Sequence, residues 1–141
     1  MITYAPAEPQ DLPLLFQMNR QLIELYEDIG SIDYGAVLSW VEQNLASHFS
    51  DFRRILFHDR LAGFFCLSEG ELDSFFLLPE YRGMGIGTAV LKYCQSLSPV
   101  LTLYVFQENR GAIRLYSRMG FRITREIGKT RYIMEWKTQD L

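Results

Sequence analysis

The chain is predicted to form one domain of mixed α and β structure, and three observations support this. Hydrophobic spacing alternates along the chain between a period near 3.6 and a period of 2. Its 141 residues are 48% hydrophobic and 22% charged, a globular composition with length for one core and not two. No repeat, low-complexity tract or long linker interrupts it.

The elements follow in order. Ile2 to Pro6 reads as a short strand, and Asp11 as the N-cap of a helix with Pro13 in its first turn. Leu14, Leu15, Met18, Leu22, Ile23, Leu25 and Tyr26 recur at helical spacing to about Asp28, where Gly30 provides a stop. Tyr34 to Ser47 reads as a second helix, with Val37, Leu38, Trp40, Val41 and Leu45 as its apolar positions.

The middle of the chain changes period. Arg53–His58, Leu61–Ser68 and Glu71–Leu78 are rich in Phe, Leu and Ile and are split by Asp59-Arg60 and Glu69-Gly70, which predicts an antiparallel meander. Pro79 ends the third strand, and a glycine-rich loop leads into a helix over Thr88–Ser96. Leu101–Phe106 is a further strand, Arg110–Met119 a helix closed by Gly120, and Phe121–Ile127 with Thr130–Lys137 a final pair around Gly128-Lys129.

Charge and cysteine use narrow the function classes. Fourteen Lys and Arg stand against seventeen Asp and Glu, for a net charge of −3, which disfavours a sequence-independent grip on nucleic acid or acidic lipid. Cys66 and Cys94 lie in apolar stretches without C-x-x-C spacing and read as buried small hydrophobes in a reducing compartment. The first residues have no signal-peptide pattern, and no apolar run reaches about 18 residues. A cytoplasmic protein without membrane contact is expected. His48 and His58 are isolated and read as surface or capping residues, so no metal is expected.

The loop Arg82-Gly83-Met84-Gly85-Ile86-Gly87-Thr88 lies between a strand and a helix. Glycines let a ligand approach the main chain closely and accept positive φ, while a helix start leaves unpaired N–H groups facing outward. With the positive end of the helix dipole behind them, those groups suit a pyrophosphate. The dinucleotide fingerprint would need glycine at Thr88, and the Walker pattern would need lysine after Gly87. Both are rejected.

A second motif follows about 22 residues later, as Asn109-x-x-Ala112-x-x-Leu115-Tyr116-x-x-x-Gly120-Phe121. With Arg82-x-x-Gly85-x-Gly87 before it, the pair resembles the GNAT superfamily of acetyl-coenzyme A-dependent N-acetyltransferases. The resemblance implies a single GNAT-like α+β domain over 1–141, with a central, mostly antiparallel sheet of six or seven strands flanked by about four helices. It implies acetyl-CoA as cosubstrate, with its pyrophosphate on the amides of Arg82, Gly83, Met84, Gly85, Ile86, Gly87 and Thr88. The pantetheine arm is expected to pair with the backbone of Phe76 and Leu77. Asn109 would bond the arm or cap the helix from Arg110, beside Ala112.

In the resemblance Tyr116 has the chemical task. A phenol of pKa ~10 can protonate a leaving thiolate whose thiol has a pKa near ~8.5. The acceptor amine must lose a proton too, at a penalty of roughly 4.6 kcal/mol for a pKa of ~10.4 at pH 7. A carboxylate near the acceptor is therefore expected. The resemblance implies Asp73 as the first candidate, six residues before Pro79 on a strand where many family members carry Glu or Asp facing the acceptor, and Glu71, at the same strand parity, is the reserve. Ribosomal-type N-terminal acetyltransferases often carry Glu five residues before the Asn, where this chain has Tyr104, which argues against that subclass.

Glu24, Tyr26 and Asp28, with Glu27, form an acidic-aromatic edge that could attract a cationic acceptor. The expected reaction is transfer of acetyl to a primary amine by direct attack. A CoA-binding sensor or interaction module, a longer acyl group and a hydroxyl acceptor are the alternatives. So short a chain draws specificity from loops, from its first two helices, or from a second copy in a homodimer.

Overall fold

The computed structural model describes residues 1–138. Seven strands form one sheet: β1 (Ile2–Pro6), β2 (Phe52–Phe57), β3 (Arg60–Ser68), β4 (Glu71–Leu77), β5 (Val100–Phe106), β6 (Arg122–Ile127) and β7 (Arg131–Lys137). Four α-helices accompany them: α1 (Leu12–Tyr26), α2 (Tyr34–His48), α3 (Ile86–Leu97) and α4 (Arg110–Arg118). The strand order is β1-β2-β3-β4-β5-β7-β6, and every neighbouring pair is antiparallel except β4 with β5. This is the mixed, mostly antiparallel architecture that the motifs imply.

Side-chain alternation along the strands builds two cores. Phe65, Leu72, Leu101, Leu103, Val105 and Met134 pack against Val90, Leu91 and Cys94 of α3 and Tyr116 of α4. Phe52, Phe64, Cys66 and Phe76 pack on the other face against Leu15 and Met18 of α1 and Val41 and Leu45 of α2. Adjacent Phe64 and Phe65 thus serve opposite layers, and each is almost fully buried, contributing on the order of 2–3 kcal/mol. Both cysteines are free and buried.

Several element ends differ from the sequence expectation. The β2–β3 turn is centred on His58-Asp59, both at positive φ (50° and 65°), not on Asp59-Arg60. Two left-handed residues match the twist of a two-residue hairpin, which leaves Arg60 in β3. Glu69 and Gly70 make the same kind of turn before β4. Helix α1 stops at Tyr26 because Glu27 is already extended, and Gly30 falls in a separate 3-10 turn.

Asp11 precedes α1 but its side chain does not cap it. The carboxylate instead accepts from Arg54 Nε and Arg54 NH2 of β2, both at 2.9 Å, and from the Glu8 amide at 2.8 Å. That bidentate bond satisfies a nearly buried charge and ties the chain entering α1 to the sheet.

Local irregularities shape the middle strands. Cys66 pairs with Ser74 but Leu67 with Leu72, so Asp73 is the extra residue of a β-bulge. Leu72 and Phe75, three apart, consequently face the same core. The bulge breaks the regular alternation that would give Glu71 and Asp73 one parity. At Gly63 a Cβ would stand 1.9 Å from the Phe76 carbonyl oxygen, so β3 and β4 meet there only because the residue is glycine.

Candidate active site

Parallel strands β4 and β5 pair only through Glu71 with Thr102 and Leu72 with Leu103. Beyond that rung they have no ladder, and the edge of β4 from Asp73 to Leu77 faces a gap. Main-chain direction alternates along the strand. Leu78 N–H donates to Ala62 O of β3 at 2.8 Å, and the Phe76 carbonyl points at Gly63 of the same strand. The groups turned to the gap are therefore those of Phe75 and Leu77 rather than Phe76. The sequence could place this strand beside the loop, but not the phase of its carbonyls.

The glycine loop stands at the open end of the gap. Gly83 and Gly85 have φ of 75° and 82°, values that favour glycine, and a Cβ on either would meet nothing within 4 Å. The space over the loop is open. Gly85 is the N-cap of α3, which begins two residues earlier than the sequence predicts, so Gly87 and Thr88 lie in its first turn. Ala89 N–H is the first to bond back, to Gly85 O at 3.1 Å, leaving those of Ile86, Gly87 and Thr88 outside the helical ladder. Ile86 itself is buried and anchors the loop, while Met84 is exposed at its tip. Arg82 turns back, its amide donating to Pro79 O at 3.3 Å and its Nε to Leu77 O at 3.1 Å. A concave set of free amides on a helix start fits a pyrophosphate.

On the α3–α4 side of the sheet, Asn109 caps α4, its Oδ1 accepting from Ala112 N–H at 3.3 Å. That leaves its amide NH2 available. Two turns on, Tyr116 is 8% exposed with its ring 5.7 Å from Phe121. Burial, and after it the neighbouring Cys94, pushes its phenol well above the ordinary value, so it is protonated at neutral pH.

Burial, followed by the charges of Asp73, Asp51 and Glu71, pushes the Cys66 thiol up to about 11. Cys66 is packed under α1 and α2, and Tyr116 belongs to the opposite layer. Asp73 follows Leu72, and Tyr104 follows Leu103, so the two begin the opening. Tyr104 is 51% exposed.

Tyr26 and Asp28 line a cleft of about 520 Å³ with Glu27, Glu108 and Lys129. Tyr26 also stacks on Phe106 at the end of β5, with centroids 5.8 Å apart. Glu24 does not belong to this cleft. Its carboxylate accepts from Arg20 Nε at 2.8 Å and from the Tyr34 hydroxyl, and these bonds hold its pKa below the usual range. Glu108 and Lys129 arrive from separate loops, and no local pattern marks either. His48 is exposed at the end of α2, bonded to Asn44 O, and His58 is exposed in its hairpin turn.

A mixed sheet whose two parallel strands part beyond Leu72 and Leu103, with β4 leading into a nest of free amides at the start of α3, defines the class of fold. The profile of the Acetyltransferase (GNAT) family matches residues 19–121. The chain belongs to that family.

Relatives agree at lower resolution. The peptidyl-lysine N-acetyltransferase YjaB of Escherichia coli (strain K12) is 35% identical over 66 residues, 47% of this chain and 45% of YjaB. The match thus spans less than half the length of that relative. The uncharacterized N-acetyltransferase MJ1207 of Methanocaldococcus jannaschii is 39% identical over 56 residues, 36% of this chain and 25% of that protein. Among solved structures, apo YjaB from Escherichia coli superposes with a TM-score of 0.71 at 21% identity, covering 100% of this chain and 99% of that one. The PaiA N-acetyltransferase of Thermoplasma acidophilum, solved with coenzyme A, gives 0.71 at 21% identity, covering 97% and 99%. These structural likenesses concern the fold.

Proposed function

We propose that this chain transfers the acetyl group of acetyl-CoA to a primary amine by direct attack. The carrying observation is the gap beyond Leu72 and Leu103, which ends in the Gly83–Gly85 nest. Amides of Gly83 to Thr88 hold the pyrophosphate, and Phe75 and Leu77 offer strand-like hydrogen bonds to the pantetheine arm. Asn109 contributes its free amide NH2.

Tyr116 acts as the general acid. Its raised pKa makes it a weak acid in water, but a thiolate leaving into the same apolar gap is destabilised by the same desolvation, which keeps donor and acceptor matched. Across the sheet, Asp73 is the base that removes the amine proton, directly or through water, with Glu71 in reserve. The cleft by Tyr26 and Asp28 receives the acceptor. Likeness to the YjaB relatives, named for peptidyl-lysine, favours a lysine side chain.

The test is free-thiol release from acetyl-CoA with lysine peptides, N-terminal peptides, polyamines, aminoglycosides and amino acids as acceptors. Turnover with at least one primary amine is expected. Tight CoA binding with no thiol release for any acceptor would instead make the chain a cofactor-binding module.

A further inference from the structure

Net charge conceals a division along the chain. Residues 110–131 hold seven basic side chains against a single carboxylate, Glu126, while the remainder holds seven against sixteen. Part of this charge is organised. Arg110, Arg114 and Arg118 recur every four residues on the exposed side of α4. Like charges at that spacing repel one another and weaken a helix. Among the described residues only Arg110 of the three has a carboxylate in ion-pair range, Glu108 at 3.8 Å.

The ridge belongs to the helix that packs on the first turn of α3. Gly87, in the first turn of α3, packs against Leu115 of α4, close enough that a Cβ there would stand 3.0 Å from Leu115 Cδ2. Gly111 and Arg118 are one turn to either side of Leu115 along α4. The nearest atom to a Cβ placed on Gly111 is Arg114 NH2 at 3.9 Å. The Arg114 guanidinium therefore lies back over Gly111, toward the start of α4.

We propose that Arg114 and Arg118 form a second anion subsite, which takes the 3′-phosphate on the ribose of coenzyme A. This rests on the acetyl-CoA reading above and adds a division of labour to it. A pyrophosphate diester is seated on fixed amides, whereas a phosphate monoester, with a higher charge and three free oxygens, is met by guanidinium groups. Arginine on a surface helix can be removed without touching the core.

The experiment is calorimetric titration of wild type and of an R114Q/R118Q double variant with CoA and with dephospho-CoA, at low and moderate salt. Wild type is expected to bind CoA about tenfold more tightly than dephospho-CoA. The double variant, with an unchanged melting temperature, should bind both as wild type binds dephospho-CoA and show a weaker salt dependence for CoA. R125Q, which removes a charge from β6, should keep the preference. A preference that survives in R114Q/R118Q, that is lost equally in R125Q, or that is absent from wild type overturns the subsite. Wild type binding neither ligand overturns the acetyl-CoA reading and the subsite with it, an outcome distinct from the other three.

Discussion

Leu72 of β4 and Leu103 of β5 form the last rung that the two strands share. Everything proposed for the site depends on what this pair does not continue. Their side chains both enter the core under α3 and α4, which holds the strands together below the opening while the residues after them are left apart.

Hydrogen exchange reads this edge directly. In the free protein the amides of Phe75 and Leu77 should exchange fast, and that of Phe76, directed at β3, slowly. Saturating CoA should slow the first two by at least ~10-fold, a ligand-strand effect, and leave Phe76 as it was. Uniform protection across all three would mean that CoA stabilises the fold globally without pairing with β4.

For Tyr116→Phe, kcat should fall about 10²–10³-fold with CoA affinity within about twofold of wild type, the pattern for loss of a proton donor. The pH profile carries the sign of the burial. Because the phenol is pushed above its ordinary value, kcat/KM should climb with pH as the amine deprotonates, with no descending limb from Tyr116 below about pH 10. A descending limb near pH 9 that disappears in the variant contradicts this environment for the phenol.

Gly85 separates conformational from chemical effects. Gly85→Ala meets no neighbour but forces a left-handed φ of 82° on a residue with a Cβ, a cost of roughly 1–2 kcal/mol in the melt. Gly85→Glu adds a carboxylate where a pyrophosphate is expected, and CoA binding should disappear by calorimetry while the protein still folds. Undiminished CoA affinity in Gly85→Glu would remove the loop from the site.

Gly63→Ala should be far more damaging than Gly85→Ala. The added carbon would sit 1.9 Å from the Phe76 carbonyl oxygen, and backbone cannot swing aside as a side chain can. A loss of at least ~3 kcal/mol is expected in denaturant unfolding.

Asp11 predicts the acid limb of stability. Burial works against its charge, but the bonds from Arg54 and the Glu8 amide outweigh burial and hold its pKa below the usual value. A depressed carboxylate pKa contributes stability that is present above the unfolded value of about 3.9 and is lost as pH falls through the folded one. Asp11→Asn should therefore flatten the stability profile below pH 4 and cost ~3 kcal/mol at pH 7 by stranding Arg54. An unchanged acid limb would assign it to other carboxylates.

How much of this was legible in the sequence follows the range of the interactions. The positive φ of the loop glycines and the Asn109 cap belong to local motifs whose geometry is fixed within a few residues, and the sequence shows both. The bulge at Asp73, the tight approach at Gly63 and the backbone phase that turns Phe75 and Leu77 to the gap depend on pairing with β3, which no local pattern encodes. Glu24 reads as part of an acidic edge, and the sequence does not reveal that Arg20 and Tyr34 close on it. Glu108 and Lys129 were silent for the opposite reason, since only the sheet order brings their loops to Tyr26.

The two-rung junction between β4 and β5 also has a mechanical meaning. One half of the sheet, β1 to β4, hangs together through three long ladders, and the other, β5 to β7, through two. Between them runs a short hinge with a missing strand beside it. A ligand that filled that vacancy with its own amides would stitch two leaves into one plate, so part of the secondary structure of the working protein would be supplied by a molecule that is not protein.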